Sequence, residues 1–425
     1  MKYLSRFDHF YRNLFALGTA ASYQTLMQMV AIPIFLAALQ VERYSEWLIA
    51  FSIAQFTGLL DFGSITSTQN SFKLLTVRGL DDLVNQRIKQ ISNFLTISFF
   101  GFIFILFYLH ENSRTTFNIN LTIIFVVSNL LQSYFGILEG LTRIDSKTSF
   151  GIYASTALRF TEFIGTLLGL LLYPKSLILV GLTGLILKTL FFTFILYRFH
   201  NQYQFMQFGR PNISIIIQNI KEGGAFLIIK SSEWILISCT VLVLSKKISA
   251  TELVLFISSR TFFRLGIQIT MLISTTYGYE MTNTWASNDY LTMLQLIKRS
   301  SRVTIMLATF GLLIYGTIGK NIYALWMHSQ LALHNSLLIW GALYSLVLSI
   351  SQNQKTKFNS INFNFHISVI QLLCSLLTVG FLYLANSGMT LEYIYAVLTI
   401  AEVFSFTLIR LFTRNRIENY FYENR

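Results

Sequence analysis

The stretch from residue 177 to residue 197, LILVGLTGLILKTLFFTFILY, decides the fold class. It has about 20 residues, the length that an α-helix needs to cross the hydrocarbon core of a bilayer. Its single charged residue is Lys188. A helix of this composition has no polar face to turn towards water, so it needs lipid or protein around it. The stretch therefore predicts a membrane-spanning helix that carries one lysine.

Comparable apolar stretches recur along all 425 residues, and only 12% of the chain is charged, with a mean hydropathy of +0.56. Ordinary soluble domains carry about 25% charged residues. The predicted spans are 14–39, 46–67, 91–109, 119–141, 150–172, 177–197, 223–245, 250–275, 303–318, 334–352, 363–385 and 393–412. We expect an all-α polytopic membrane protein with about 12 transmembrane helices, which excludes a soluble enzyme and leaves no room for a large extramembrane domain.

The net charge of +13 is explained by topology. With both termini on the cytoplasmic side, five of the 32 basic residues lie well inside spans and 21, including Arg410 at the end of the last span, are assigned to the cytoplasmic side. The opposite side takes only Arg43, Arg114, Lys175, Lys246, Lys247 and Lys320. This asymmetry follows the positive-inside rule, so we expect a multi-pass protein with both termini inside and no nucleic-acid partner.

A weak internal repeat indicates two halves. A shift of 206 positions aligns Asn13 with Asn219, Glu46 with Glu252, Ser52 with Ser258, and Phe56 with Phe262. We expect an N-terminal six-helix lobe at 1–197, a cytoplasmic linker at 198–222, a C-terminal six-helix lobe at 223–412 and a basic cytoplasmic tail at 413–425. An even number of helices in each half makes the repeats parallel, and the crevice between such halves is the usual substrate path.

Nine charged residues lie inside the predicted spans and at least six residues from either end, where each costs at least about 2.5–3.5 kcal/mol. They are the bases Arg159, Lys188, Lys230, Arg260 and Arg264 and the acids Asp61, Glu162, Glu233 and Glu402. We expect them to face a water-filled cavity or to pair. Arg159 with Glu162, and Lys230 with Glu233, are three residues apart and share a helix face, so local neutralisation and a functional role both remain open.

Arg260 and Arg264 are the most informative pair, because they project from one face of the eighth helix. Two guanidinium groups near the midplane need an anion, and guanidinium suits phosphate. The alternative is pairing with Asp61 or Glu402. We predict substrate binding by both arginines, with Lys230, Arg159 and Lys188 as further candidates. The acids Asp61, Glu233, Glu402 and Glu162 are candidates for ion coupling or for a structural role.

Catalytic patterns are missing from the sequence. It contains no nucleotide-binding phosphate loop, and its six histidines are scattered without metal-ligand spacing. We therefore expect neither a cofactor nor a metal, and a transporter instead of an enzyme.

Pro33 predicts a bend in the first helix, and Gly223-Gly224 predicts a flexible start of the seventh.

Two patches carry a resemblance to Wzx-type flippases, the polysaccharide-exporter branch of the multidrug/oligosaccharidyl-lipid/polysaccharide (MOP) superfamily. The family's short outer turn reads Tyr-Gly-x-Trp, and its next helix ends in Asp-x-Gly followed by Asn. In this chain, Ser45-Glu46 replaces the glycine of that turn. The matching stretches are Pro33-Ile-Phe-Leu36, Glu42-Arg-Tyr44-Ser-Glu-Trp47, Leu60-Asp61-Phe62-Gly63, Gln69-Asn70 and Leu138-Glu-Gly-Leu141-Thr-Arg143.

The resemblance implies two six-helix lobes around a central cavity that is lined by helices one, two, seven and eight. It implies a protein of the bacterial cytoplasmic (inner) membrane that moves an undecaprenyl-diphosphate-linked oligosaccharide to the outer leaflet by alternating access, for O-antigen or capsule synthesis. The implied partners are this lipid-linked oligosaccharide, membrane lipid and other polysaccharide-assembly membrane proteins. Two alternatives remain open: a cation-coupled drug antiporter of the same superfamily, and a membrane glycan polymerase or ligase.

Overall fold

The computed structural model of the chain is helical throughout the part that it describes. The described residues are 2–65, 81–112, 117–144, 148–199, 213–286, 289–328, 330–360, 365–385 and 388–423, and no strand occurs among them. The prediction of an all-α protein is confirmed. Gln69-Asn70, one of the stretches that carry the resemblance, lies outside the described residues.

The first long segment, Lys2–Ala54, contains two helices. Gln40 has φ 62° and ψ 171°, which are not helical values, and breaks the segment where the sequence predicts the first outer turn. We call the part before Gln40 helix α1 and the part after it α2, which continues into a 3₁₀ turn at Gln55–Leu59. This turn interrupts the helix, the backbone is helical again at Ser64 and Ile65, and the predicted end at residue 67 lies outside the described residues.

Ten further helices follow within the described ranges of the chain. They are α3 (Asp81–Asn112), α4 (Ile119–Ile144), α5 (Thr148–Leu172), α6 (Leu177–Phe199), α7 (Ile213–Trp234, continued through Ile235–Cys239 and Thr240–Leu244), α8 (Ala250–Ala286), α9 (Tyr290–Trp326), α10 (Asn335–Ser360), α11 (Phe365–Leu384) and α12 (Leu391–Glu423).

Ten segments of the described chain are long and apolar enough to cross a membrane, and the first of them, Gly18–Leu59, covers both α1 and α2. Helix α10 is not among them. Its buried Ser345, Ser349 and Asn353 make it more polar than the other helices. The twelve predicted spans therefore all correspond to helices, and the chain is a multi-pass membrane protein.

Helix ends differ from the predicted ends where a helix continues beyond the bilayer. Helix α7 begins at Ile213, so Gly223 and Gly224 lie inside it and the prediction of a flexible start there is wrong. Helix α12 continues to Glu423, so the predicted basic tail is helical. Hydropathy marks where a helix enters lipid and carries no information about where its backbone hydrogen bonds begin.

The helices form two compact units. Unit 1 comprises Met1–Met27 and Ile34–Trp234, and unit 2 comprises Gln28–Pro33 and Ile235–Arg425. Two divisions lie in α1, after Met27 and after Pro33, and the third lies inside α7, after Trp234.

Side chains satisfy the free backbone donors at several helix starts. At α8, Ser249 and Glu252 cap each other's backbone amides at 3.0 and 3.2 Å, which is a capping box. Asn118 Oδ1 accepts from Leu121 N at α4. At α9, the exposed Asp289 accepts from Thr292 N at 3.1 Å, and hydrogen bonding by Thr292 holds the pKa of this carboxyl below its usual range.

In unit 1, small residues bring α5 and α6 into close contact. A Cβ atom added to Gly165 would lie 2.8 Å from Gly184 Cα, and one added to Gly169 would lie 2.1 Å from Thr183 Oγ1. Membrane helices pack through such small residues because lipid supplies no hydrophobic force between them. This contact sets the register of α6 against α5.

A second close contact in unit 1 joins the turn after α2 to helix α7. Gly63 has a φ of 73°, and a Cβ atom on it would lie 2.2 Å from Gly223 O. A Cβ atom on Gly223 would in turn lie 2.7 Å from Phe62 O. Both positions need glycine, since each backbone occupies the space of the other's side chain.

In unit 2, aromatic residues fix the orientation of α8. Phe262 and Phe263 are buried and pack edge-on against Tyr315. Ser258 hydrogen-bonds the Tyr323 hydroxyl of α9 at 2.7 Å, while Ser259 hydrogen-bonds the Tyr395 hydroxyl of α12 at 2.9 Å. These contacts assign two faces of α8 to its neighbours and leave the face of Arg260 and Arg264 half-buried.

The adjacent glycines of α7 provide a matched test of this packing. We expect Gly223→Ala to lower the thermal unfolding midpoint of the purified protein by several degrees, because its Cβ atom would collide with the Gly63 turn. Gly224→Ala meets no atom within 4 Å, so it should leave the midpoint unchanged or raise it slightly through higher helix propensity. Equal midpoints for the two variants would contradict the close contact.

Candidate functional site

Asp61 and Lys230 form an ion pair within unit 1. Lys230 Nζ lies 3.1 Å from Asp61 Oδ2. Asp61 Oδ1 also accepts from Gly63 N at 3.1 Å, which orients the carboxylate. The Gly63–Gly223 contact lies two helical turns before Lys230 on α7 and thereby brings the lysine to the carboxylate. The Asp61 side chain is 4% exposed and the Lys230 side chain is 33% exposed, so the lysine is the more exposed member of the pair.

Glu162 of α5 and Lys188 of α6 form a second ion pair in unit 1, with Nζ–Oε2 at 2.6 Å. Ser128 of α4 completes the group: it accepts from Lys188 Nζ at 2.8 Å and donates to Glu162 Oε1 at 2.5 Å. Lys188 is 2% exposed and Glu162 is 28% exposed. The glycine contacts between α5 and α6 place these residues at the same height, one turn beyond the Gly165–Gly184 contact.

Unit 2 contains a third pair of the same composition. Lys355 Nζ of α10 lies 3.0 Å from Glu402 Oε1 of α12, and both side chains are buried. Ser351, one turn before Lys355, donates to the same carboxylate oxygen. The sequence predicts Lys355 among the cytoplasmic basic residues, outside the spans, and in the structure its side chain is 8% exposed. Ser351 and Lys355 are four residues apart and share one face of α10, which is the sequence signal of this polar group.

These pairs join different helices. Helical spacing predicts that Glu162 shares charge with Arg159 of its own helix, but Glu162 pairs with Lys188. The same spacing predicts Lys230 beside Glu233, whereas Lys230 pairs with Asp61. The alternative partners considered for the two arginines, Asp61 and Glu402, are each bound to a lysine.

Arg260 of α8 lies beside an irregular part of α7. The segment Ile235–Cys239 is a π-helix, in which a turn contains one residue more than in an α-helix. Arg260 Nη1 donates to Ile237 O of this segment at 3.4 Å, and its guanidinium lies 5.9 Å from the Phe256 ring centroid. Among the described residues, no carboxylate forms an ion pair with Arg260.

The remaining candidate residues differ in how far their side chains are buried. Arg264 is half-buried, four residues after Arg260, and Tyr344 lies within electrostatic range of both arginines. Arg159 and Glu233 are exposed side chains on α5 and α7. Of the predicted candidates, the structure pairs Asp61 with Lys230 and Glu162 with Lys188. It pairs Glu402 with Lys355, which was not among the candidates. Within the described part of the chain, no cluster of three or more His, Cys, Asp or Glu residues is arranged to hold a metal ion.

Pro33 leaves one backbone carbonyl of α1 without a helical hydrogen bond, and a side chain of unit 2 donates to this carbonyl. Proline has no amide hydrogen, so the carbonyl of Met29, four residues earlier, loses its helical partner. Trp326 Nε1 donates to Met29 O at 2.6 Å and satisfies this carbonyl. The tryptophan at the end of α9 therefore compensates for the proline in α1.

The Lys188 group gives a direct test of the ion-pair geometry. We expect Lys188→Met to lower the thermal unfolding midpoint by several degrees, because it leaves Glu162 without its counter-ion. The double variant Lys188→Met/Glu162→Gln should recover most of this loss, since neither replacement is charged. Lys175→Met, at an exposed lysine between α5 and α6, is the control and should have no effect. Equal loss in the single and double variants would show that the charge pair is not the source of stability.

No protein-family model matches the chain, and no curated protein matches it. Solved structures do. An inward-facing multidrug resistance MATE family transporter of the MOP superfamily superposes with a TM-score of 0.77 at 12% identity, over 93% of this chain and 95% of the other.

Two further structures give the same result. The outward-facing conformation of a multidrug resistance MATE family transporter of the MOP superfamily has a TM-score of 0.67 at 11% identity, over 97% of this chain and 96% of the other. A MOP superfamily transporter from Pyrococcus furiosus, described as having a binding pocket of reversed polarity, has a TM-score of 0.68 at 12% identity, over 96% and 95%. These neighbours are transporters. The chain therefore has the two-lobed, all-helical fold of the MATE transporters of the MOP superfamily.

Proposed function

We propose that this chain is a membrane transporter that moves an anionic, lipid-linked oligosaccharide across the bacterial cytoplasmic membrane. The observation that carries the proposal is the way its intramembrane charge is balanced. Asp61, Glu162 and Glu402 are each bound to a lysine. Arg260, by contrast, contacts a backbone carbonyl and an aromatic ring and has no carboxylate partner in the described part of the chain. The positive charge of Arg260 remains available to an anion.

A diphosphate linkage fits this charge. Guanidinium groups bind phosphate oxygens through paired, charge-assisted hydrogen bonds, and Arg264 presents a second guanidinium on the same face of α8. In unit 1, the partly exposed Lys230 is a further cation that a phosphate can approach. An undecaprenyl chain would stay in the bilayer while the sugars and the diphosphate cross. Lipid-linked oligosaccharide and the proteins that assemble surface polysaccharide are the partners that this proposal requires.

The second candidate function is a cation-coupled drug antiporter. It is favoured by the solved neighbours, two of which are described as multidrug resistance transporters. A cationic drug would need a carboxylate, and the structure offers the exposed Glu233 together with carboxylates that are bound to lysines. The lysine partners therefore favour the anionic substrate. The polymerase or ligase alternative has no neighbour among these structures, since they are transporters.

We expect the double variant Arg260→Gln/Arg264→Gln to reduce oligosaccharide translocation by about tenfold or more, since each charge-assisted contact contributes about 1.5–3 kcal/mol. The measurement is leaflet-resolved detection of the lipid-linked oligosaccharide in cells that depend on this gene for surface glycan. The intermediate should accumulate on the inner leaflet, and the amount of surface glycan should fall while the protein level stays normal.

Lys320→Gln is the matched control, because Lys320 is exposed on α9 and lies on the predicted outer side. It should leave translocation unchanged. Intact glycan export by the double arginine variant would refute the proposed role of the arginines. Deletion that causes drug sensitivity with normal surface glycan would instead establish the antiporter. Accumulation of unpolymerised units on the outer leaflet would indicate a polymerase.

A further inference from the structure

A cavity inside unit 2 is the strongest feature that the proposed function leaves unexplained. It has a volume of about 380 Å³ and lies among α9, α10 and α12. Two basic residues, Lys357 of α10 and Arg410 of α12, belong to its wall, and no acidic residue does. Arg260 and Arg264 are not part of it.

The positive charge of this wall is not neutralised by the protein. Lys357 is half-buried and donates to Ser301 Oγ at 2.5 Å. Among the described residues, no carboxylate forms an ion pair with Lys357 or Arg410. A partly buried ammonium whose protein partner is a neutral hydroxyl group calls for an external anion, because removing a charge from water is costly without a counter-charge.

Neutral polar groups extend the positive wall. Asn353 Nδ2 lies 2.7–2.9 Å from three hydroxyl oxygens, those of Ser274, Ser300 and Thr304. This network holds the Asn353 amide in place, so Asn353 and Ser301 form a fixed polar part of the cavity wall. Phosphate oxygens would accept hydrogen bonds from the ammonium of Lys357 and the guanidinium of Arg410.

The predicted spans put the cavity at the cytoplasmic end of its three helices. Ser301 lies just before the predicted span of α9, Lys357 just after that of α10, and Arg410 at the end of that of α12. All three ends belong to the predicted cytoplasmic side. Ile305 is exposed and Phe406 is half-buried, so apolar side chains complete the wall towards the lipid. Basic pockets between membrane helices on this side suit anionic lipid head groups.

We propose that this cavity binds the phosphate of an anionic membrane lipid, with the head group between Lys357 and Arg410 and the start of an acyl chain along Ile305 and Phe406. The ligand class is a phosphodiester with apolar chains, because the charged and apolar parts of the wall lie side by side. This site is distinct from the arginine face of α8, and the inference does not depend on which substrate the protein transports.

The test measures binding of dioctanoyl phosphatidylglycerol and dioctanoyl phosphatidylcholine to the full-length protein purified in a neutral detergent. We expect the anionic lipid to bind at least about tenfold more tightly than the zwitterionic one. Lys357→Gln and Arg410→Gln should each weaken phosphatidylglycerol binding by about tenfold. Lys357→Arg should retain binding, and Lys320→Gln is the control for a change of surface charge.

Two additional measurements separate a bound lipid from a bound free anion and from loss of folding. Ile305→Trp keeps every charge but fills the lipid side of the cavity, and it should weaken phosphatidylglycerol binding as well. Arg410 is exposed, so Arg410→Gln should elute as folded protein in size-exclusion chromatography. Equal binding of both lipids, unchanged binding in the charge variants or in Ile305→Trp, or displacement of the lipid by inorganic phosphate at the same concentration would overturn the proposal.

Discussion

The cost of placing a charge in lipid governs the interior of this protein. Each intramembrane carboxylate whose ion pair the structure describes meets a lysine of another helix, at 2.6 Å for Glu162, 3.1 Å for Asp61 and 3.0 Å for Glu402. In two of these pairs a serine hydroxyl also donates to the carboxylate. A buried pair is tolerated only when such extra hydrogen bonds accompany good geometry. The ion pairs therefore demand a precise helix register, and the small residues of the helices provide it.

Close backbone contact is the means by which that register is set. Gly165 and Gly184 allow α5 and α6 to touch, and this brings Glu162 to Lys188. Gly63 and Gly223 do the same for the turn after α2 and helix α7, and this brings Asp61 to Lys230. In both cases the glycines lie within two helical turns of the charges. Packing and charge balance are therefore one constraint, because a side chain added at either contact moves an ion pair apart.

The sequence predicted the helices well because lipid leaves the backbone few alternatives, and apolar runs of span length become helices. It also predicted the break between the first two spans, which lies at Gln40. It failed on the ion pairs for a physical reason. Spacing along one helix can be read from the sequence, so Arg159 was expected beside Glu162, whereas the Glu162–Lys188 contact depends on a register between two helices. The Lys355–Glu402 pair depends in the same way on the register between α10 and α12, so spacing along one helix gives no sign of it.

Under the proposed transport function, the lysines also limit how the acids can act. A lysine ammonium 2.6–3.1 Å from a carboxylate occupies the place that a coupling cation would take. Coupling through one of these acids requires the lysine to leave, and departure costs least where water can receive the ammonium. Lys188 and Lys355 are 2% and 8% exposed, but Lys230 is 33% exposed. Asp61 is therefore the acid at which a phosphate that attracts Lys230 could release a carboxylate, so that substrate binding and cation binding would become linked at one ion pair.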